Sequence, residues 1–166
     1  MPMSYKADSF DRAIVDLLIQ DGRMSCTEIA RRIGHVSERS IRYRIDRMVR
    51  EGVIQVSAVV SPKAVGFPVT ADVFIDVEPG RIMDVARQLM EFECVCYVAC
   101  STGDTDVSIQ IVARNNDELY DFVTRVIAQV PGVRKTTTVL LPVILKDVYQ
   151  WSIPLSQCAN NPKRET

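Results

Sequence analysis

The sequence has a single histidine, a single tryptophan and only five cysteines in 166 residues. Each shortage narrows what the chain can do. With His35 alone, a histidine-rich metal centre is excluded and acid-base catalysis loses its commonest side chain. The cysteines, Cys26, Cys94, Cys96, Cys100 and Cys158, are odd in number. Three of them crowd into one predicted strand, which argues against a disulfide framework and for reduced, structural thiols. The run Cys94-x-Cys96-x3-Cys100 lacks metal-ligand spacing, and alternation along a strand predicts that all three share one buried face. No apolar run approaches the roughly 18 residues a membrane span needs, and the first residues lack the pattern of an export leader. The chain is therefore expected to be soluble and cytoplasmic, without metal or cofactor.

Charge is balanced overall, at −1, but it is not evenly spread. From Arg23 to Arg50 there are eight arginines against Glu28, Glu38 and Asp46, a local surplus of five that leaves a deficit of six elsewhere. A basic segment beside an acidic remainder suggests that one part meets a polyanion and the other does something different.

The basic segment has helix-turn-helix grammar. Asp8 is placed to cap a first helix whose Phe10, Ala13, Ile14, Leu17 and Leu18 recur at helical spacing, with Gly22 as its stop. "SCTE" predicts a reciprocal capping box between Ser25 and Glu28 at the start of a second helix, which Gly34 ends. Ser37 then caps a third helix with an apolar stripe of Ile41, Ile45, Met48 and Val49. Two short helices joined by a tight Gly-containing turn form the motif. On the third helix Arg39, Ser40, Tyr43, Arg47 and Arg50 point away from the stripe, while Arg42 and Arg44 flank it. Intrahelical carboxylates are too few to pair with them all, so duplex DNA is the favoured partner over a plain solvated face. Ser37, Arg39, Ser40 and Tyr43 lie at the end that meets base edges, and Arg42, Arg44, Arg47 and Arg50 are expected to touch phosphate.

Beyond Gly52, the β-branched run 53–60 reads as a strand, and "SPKAVGFP" as a break between domains. Two units of like form follow. Alternation at Ala71, Val73, Ile75 and Val77 precedes a helical stripe at Ile82, Val85, Ala86, Leu89 and Met90, then the strand "CVCYVACS". The same order recurs with Val107 to Ala113, with a stripe from Leu119 to Val130, and with the strand "VRKTTTVLLPVIL". The β-α-β-β-α-β sequence predicts a ferredoxin-like sheet with both helices on one face. The expected class is α+β. A winged helix-turn-helix domain (1–60), a linker (61–68) and a ferredoxin-like domain for effector binding and oligomerisation (69–150) are followed by a loose tail (151–166). The uncovered, apolar sheet face predicts a homo-oligomer, at least a dimer.

"DGRMSCTEIARRIGHVSERSIRYRIDRMVREGVI", "STGDTDVSIQIVARNNDELYDFV" and "PGVRKTTTVLL", in that order, resemble the leucine-responsive regulatory protein and asparagine-synthetase regulator (Lrp/AsnC) family of prokaryotic transcription factors, over nearly all of residues 8–148. The resemblance implies a DNA-binding regulator of amino-acid metabolism. It also implies assembly from dimers to tetramers or octamers, and an amino acid or related small molecule bound between dimers. The family's G-x-x-D turn matches Gly103 and Asp106, with Thr105 where an aromatic is common. Backbone N–H groups of this turn could meet a carboxylate, and Asp104 or Asp106 an ammonium. The same residues also suit a plain hairpin turn in which Gly103 supplies positive φ. Thr136 and Thr138 match family threonines and are candidates for the same cleft, as they are for ordinary strand residues. "GHVS" departs from the family's usual Gly-Leu-Ser, and His35 there is a candidate for weak pH modulation of DNA affinity. Two rival readings are an architectural DNA-wrapping protein and, since some proteins resembling the family decarboxylate a tetrapyrrole, an enzyme on the same fold. No nucleophile and base are paired in the sequence, so catalysis is not expected.

Overall fold

A computed structural model describes residues 5–159. The described residues form two compact units, one of residues 5–59 and 145–159, the other of residues 60–144.

The first unit is built on α1 (Ser9–Gln20), α2 (Cys26–Ile33) and α3 (Glu38–Arg50). Each starts where a short polar side chain can satisfy an orphan N–H. Asp8 accepts from Asp11 N while Asp11 accepts from Asp8 N, Ser25 accepts from Glu28 N, and Ser37 accepts from Ser40 N. The capping box thus forms on α1. On α2 only half of the predicted box forms, because the Glu28 carboxylate is taken by Arg31 and Arg32 instead. Ile14, Val15, Ile29, Ile41 and Met48 make the core between the helices. Val49, predicted in this stripe, sits at its rim and is 46% exposed.

Two expectations for this unit are corrected. Residues 53–60 form no strand, and among the described residues there is no wing. Val53 N and Ile54 N fold back onto Met48 O, and the following valines Val56, Val59 and Val60 are exposed without a ladder partner. β-branched composition favours extended backbone, but a strand needs a neighbour to bond. The tail is not simply loose either: Ile153 joins the helical core and Cys158 is fully buried.

The second unit is a four-stranded antiparallel sheet in the order β2-β3-β1-β4, from β1 (Val69–Val77), β2 (Val95–Cys100), β3 (Val107–Ala113) and β4 (Val133–Leu140). Alternation does what it promised. Ala71, Val73, Ile75 and Val77 of β1 and Val107, Ile109, Ile111 and Ala113 of β3 are buried on one face, beneath α4 (Ile82–Met90) and a second helix from α5 (Asn116–Asp121). That second helix is not uniform. It widens into a π-helical turn over Phe122–Val126 and tightens to 3-10 over Ile127–Gln129, yet Val123 and Ile127 still reach the core. β4 is shorter than predicted: Leu141 N still bonds Thr70 O, but Pro142 has no N–H and the ladder ends. A register shift between Val95 and Tyr97 also breaks the simple alternation of β2. Cys94 is half-buried, but Cys96 and Cys100 are exposed, contrary to the expectation that all three are buried.

Candidate nucleic-acid interface and effector loop

The sequence left the arginines of α3 short of partners, and the structure supplies some one turn away and others from α1 and the residues before it. Arg42 bridges to Glu38 at 2.7 Å, one turn earlier, and Arg47 to Glu51 at 3.1 Å, one turn later. The Arg47 guanidinium also lies over the Tyr5 ring, 4.9 Å from its centroid. These are exposed or half-exposed i, i+4 pairs of the kind that exchange easily with phosphate.

Arg44 is different. Its Nη1 lies 2.6 Å from Asp11 Oδ1 and within 3.0 Å of both Asp8 carboxylate oxygens, and its guanidinium covers the Phe10 ring at 5.6 Å. Asp11 is the one buried charged residue among those described, and its other oxygen accepts from Tyr5 Oη at 3.0 Å. Burial works against charge in this cluster, raising the Asp8 carboxyl. The Asp11 amide and the Arg44 guanidinium outweigh it and hold Asp8 below its ordinary value. Burial together with the Asp11 hydrogen bond pushes the Tyr5 phenol up to about 12. Arg44, read from sequence as a phosphate contact, is thus committed to fastening α3 onto α1.

Arg39 and Arg50 form no ion pair among the described residues, and both are exposed. Tyr43, 62% exposed, lies between them on the outer surface, with Ser40 half-buried beside it. Ser37 is spent as the N-cap. The turn before α3 carries Gly34 at φ 74° and His35 at φ 54°, the single described non-glycine residue with positive φ. A side chain in this left-handed region is strained, and it is tolerated where the surrounding fold demands the turn. Three contacts were missed from sequence: Thr27 Oγ1 donates to Glu38 Oε2 at 2.9 Å, joining α2 to the first residue of α3, and the α2 pairs of Arg31 and Arg32 draw Glu28 down to about 2.

In the second unit the loop 101–106 connects β2 to β3. Its ties are largely internal: Ser101 Oγ donates to Thr105 O at 2.7 Å, and Ser101 N to Asp106 O at 2.9 Å. Asp106 N donates to Ile75 O, and the Asp106 carboxylate accepts from Val77 N at 2.8 Å, which pins the loop to the end of β1. Asp104 is exposed and Thr105 half-buried. Gly103 does not adopt positive φ, contrary to the hairpin reading, and a Cβ added there would meet nothing within 4 Å. Its backbone faces open space. Thr136 pairs with Ile75 and Thr138 with Val73, on the helix-facing side of β4. Thr136 thus sits two strands from Val107, about 10 Å by normal strand spacing. Among the described residues no group of three or more His, Cys, Asp or Glu is placed to hold a metal.

Comparison with known proteins matches the chain to two domain models of one family. Residues 8–49 match the model of the AsnC-type helix-turn-helix domain, and residues 70–149 that of the Lrp/AsnC ligand binding domain. An uncharacterised HTH-type transcriptional regulator of Pyrococcus abyssi is 38% identical over 140 residues, covering 84% of this chain and 88% of that protein. The HTH-type transcriptional regulator LrpA of Pyrococcus horikoshii is 31% identical over 135 residues, covering 81% and 95%. Among solved structures, AsnC of E. coli superposes with a TM-score of 0.78 at 24% identity over 87% of this chain and 99% of its own. A regulator from Neisseria meningitidis, in complex with L-Met, superposes with 0.80 at 21% identity over 90% and 97%.

Proposed function

The chain belongs to the Lrp/AsnC family of transcriptional regulators, and from that premise we propose how its own residues divide the work of binding DNA and sensing a small molecule. α3 is the recognition helix. Arg39, Ser40 and Tyr43 meet base edges, Arg50, Arg42 and Arg47 meet phosphate, Ser37 fixes the helix start, and Arg44 positions the helix without touching DNA. The observation that carries this reading is the pair of exposed guanidiniums, Arg39 and Arg50, without an ion-pair partner among the described residues, at opposite ends of a surface on which Arg42 and Arg47 are held by exposed or half-exposed ion pairs. A bidentate arginine-guanine contact contributes about 1–3 kcal/mol of discrimination, whereas a phosphate contact strengthens binding to every sequence.

The effector is an amino acid or a related small molecule held at the loop 101–106. Support comes from Gly103, whose missing side chain the backbone conformation does not require but a close-lying ligand would. Asp104 is the free carboxylate for an ammonium group, because Asp106 is already engaged by Val77 N. Thr105 and Thr136 border the same end of the sheet, and Thr138 lies two residues farther along β4, opposite Val73. The sheet face opposite the helices carries Phe74, Tyr97, Val112 and Val139 among polar residues, and a second copy of the chain covers it. A dimer presents two recognition helices, and further assembly to a tetramer or octamer sets their spacing. The protein works in the cytoplasm, where the DNA is.

Duplexes selected from a random pool by the wild-type protein test the division of labour. Arg39→Ala should relax sequence preference by about 1–3 kcal/mol. Arg50→Ala should weaken selected and scrambled duplexes alike and reduce the salt slope by about one unit. Uniform weakening by both variants rejects the assignment.

A further inference from the structure

Residues beyond 149 lie outside both matched domains, yet those described up to 159 are docked onto the DNA-binding unit. Ile153 packs into the core of Ile14, Val15, Ile29, Ile41 and Met48. Ser152 Oγ donates to the Asp16 carboxylate on α1. A 3-10 turn at Leu155–Gln157 then turns the chain so that Cys158 is fully buried, with its thiol 3.7 Å from Pro154 O. Finally Ala159 N donates to Ala7 O at 2.8 Å.

That last bond lands one residue from the clamp on α3. Ala7 is buried, and Asp8, next in sequence, holds Arg44 through both of its carboxylate oxygens while capping α1. A four-residue path, Ala159 to Ala7 to Asp8 to Arg44, therefore links the C-terminal segment to α3. We propose that residues 151–159 are a positioning strap for the recognition helix: by fixing the chain entering α1 they fix Asp8, and through Arg44 the angle at which Arg39, Ser40 and Tyr43 face DNA. The proposal rests on α3 being the recognition helix, as argued above. Its physical basis is the small size of the fully buried core in this unit. With five residues in the buried core of this unit, a packed isoleucine and a buried cysteine are a substantial share of what orders it. The strap also returns from the effector domain, so chain crossings at residues 59–60 and 144–145 both join the two units covalently.

The full-length protein carries its own reporter. Cys158 is buried while Cys96 and Cys100 are exposed, so a thiol reagent followed by mass spectrometry should label Cys158 at least about tenfold more slowly, access requiring local opening. In Ile153→Asp that difference should vanish. Selected and scrambled duplexes are then compared for wild type, Ile153→Asp and a chain ending at Gln150, well below each protein's melting temperature. The strap predicts that both variants lose about tenfold in discrimination while the salt slope stays unchanged, because phosphate contacts remain but base contacts are misaligned. Discrimination equal to wild type overturns the positioning role and leaves the segment as stabilising mass only. Cys158 labelling as fast as Cys96 in the wild type overturns the docking itself. A wild-type protein that binds no duplex, with Cys158 still protected, overturns the recognition-helix reading and with it the proposed role, but not the contacts.

Discussion

The two units reach order by different means. The sheet unit buries fifteen apolar residues in one cluster, ten of them β-branched, from strands and helices that alternate in register. The helix-turn-helix unit has five in its central cluster, with Ala7 and Cys158 buried beside it, and supplements them with an ionic cluster of Tyr5, Asp8, Asp11 and Arg44 and with three helix caps. Apolar burial is insensitive to direction, so the sheet tolerates adjustment. Hydrogen-bonded ion pairs are directional, which suits a unit that must present one helix at one angle. The difference therefore follows the division of labour: one unit needs a platform, the other an orientation.

The sharpest way to break this comparison is to make the same cavity in each. Ile41→Ala and Ile109→Ala both remove a fully buried isoleucine side chain, and each should cost about 2–5 kcal/mol. The consequence should differ. Ile41 is one of five core residues, so its loss should unfold the first unit near room temperature and abolish DNA binding, whereas Ile109→Ala should lower the melting transition of a sheet unit that stays folded. Thermal unfolding followed separately for each unit checks it. Equal loss in both would mean that core size does not set the difference.

The sheet unit was the more legible in sequence because its determinants are local. Period-two alternation gave β1 and β3 with their buried faces, and a proline at 142 explains the one strand that ran short. The caps Asp8 and Ser37 were equally readable, since capping is settled within four residues. What escaped were interactions made at long range. Arg44 finds Asp8 across 36 residues and Asp11 across 33, and Ser152 finds Asp16 across 136, none of which helical spacing can reveal. An isoleucine in a proline-bearing tail gives no hint of its pocket. Residues 53–60 failed in the opposite sense: their composition suits a strand, but pairing is a property of the neighbour, not of the segment.

A smaller perturbation sharpens the role of the clamp. Asp11→Asn keeps the shape of the side chain and removes its charge, so Arg44 retains Asp8 but its 2.6 Å bond loses a charged acceptor. A hydrogen bond to a charged group contributes about 1.5–3 kcal/mol, and a loss of that size should appear in the first unit's transition and leave the second unchanged. Denaturant titration of both transitions is the measurement. An unchanged first transition would mean that the cluster orients α3 without stabilising it.

Acid provides the mildest test, and its sign follows from the carboxyls. In the first unit Asp8, Glu28 and Glu38 are held below their ordinary values, Glu28 at about 2, and in the second Glu118 is held down by Arg114. A carboxyl whose folded value is lowered stabilises the fold fully above its unfolded value, near 4, and that contribution is lost as the pH falls through the lower folded value. Glu28, Glu38 and Glu118 pair at exposed positions and contribute little. Asp8, partly buried among Asp11 and Arg44, carries most of the effect. Between pH 7 and 5 both melting transitions should therefore hold steady, and from about pH 4 downward the first should fall faster than the second. Asp8→Asn should flatten that dependence while lowering the plateau, since it removes the titration along with the charge on Arg44's partner. A first transition that declines no faster than the second in acid would mean that the Asp8–Arg44 contact is too solvated to distinguish the two units.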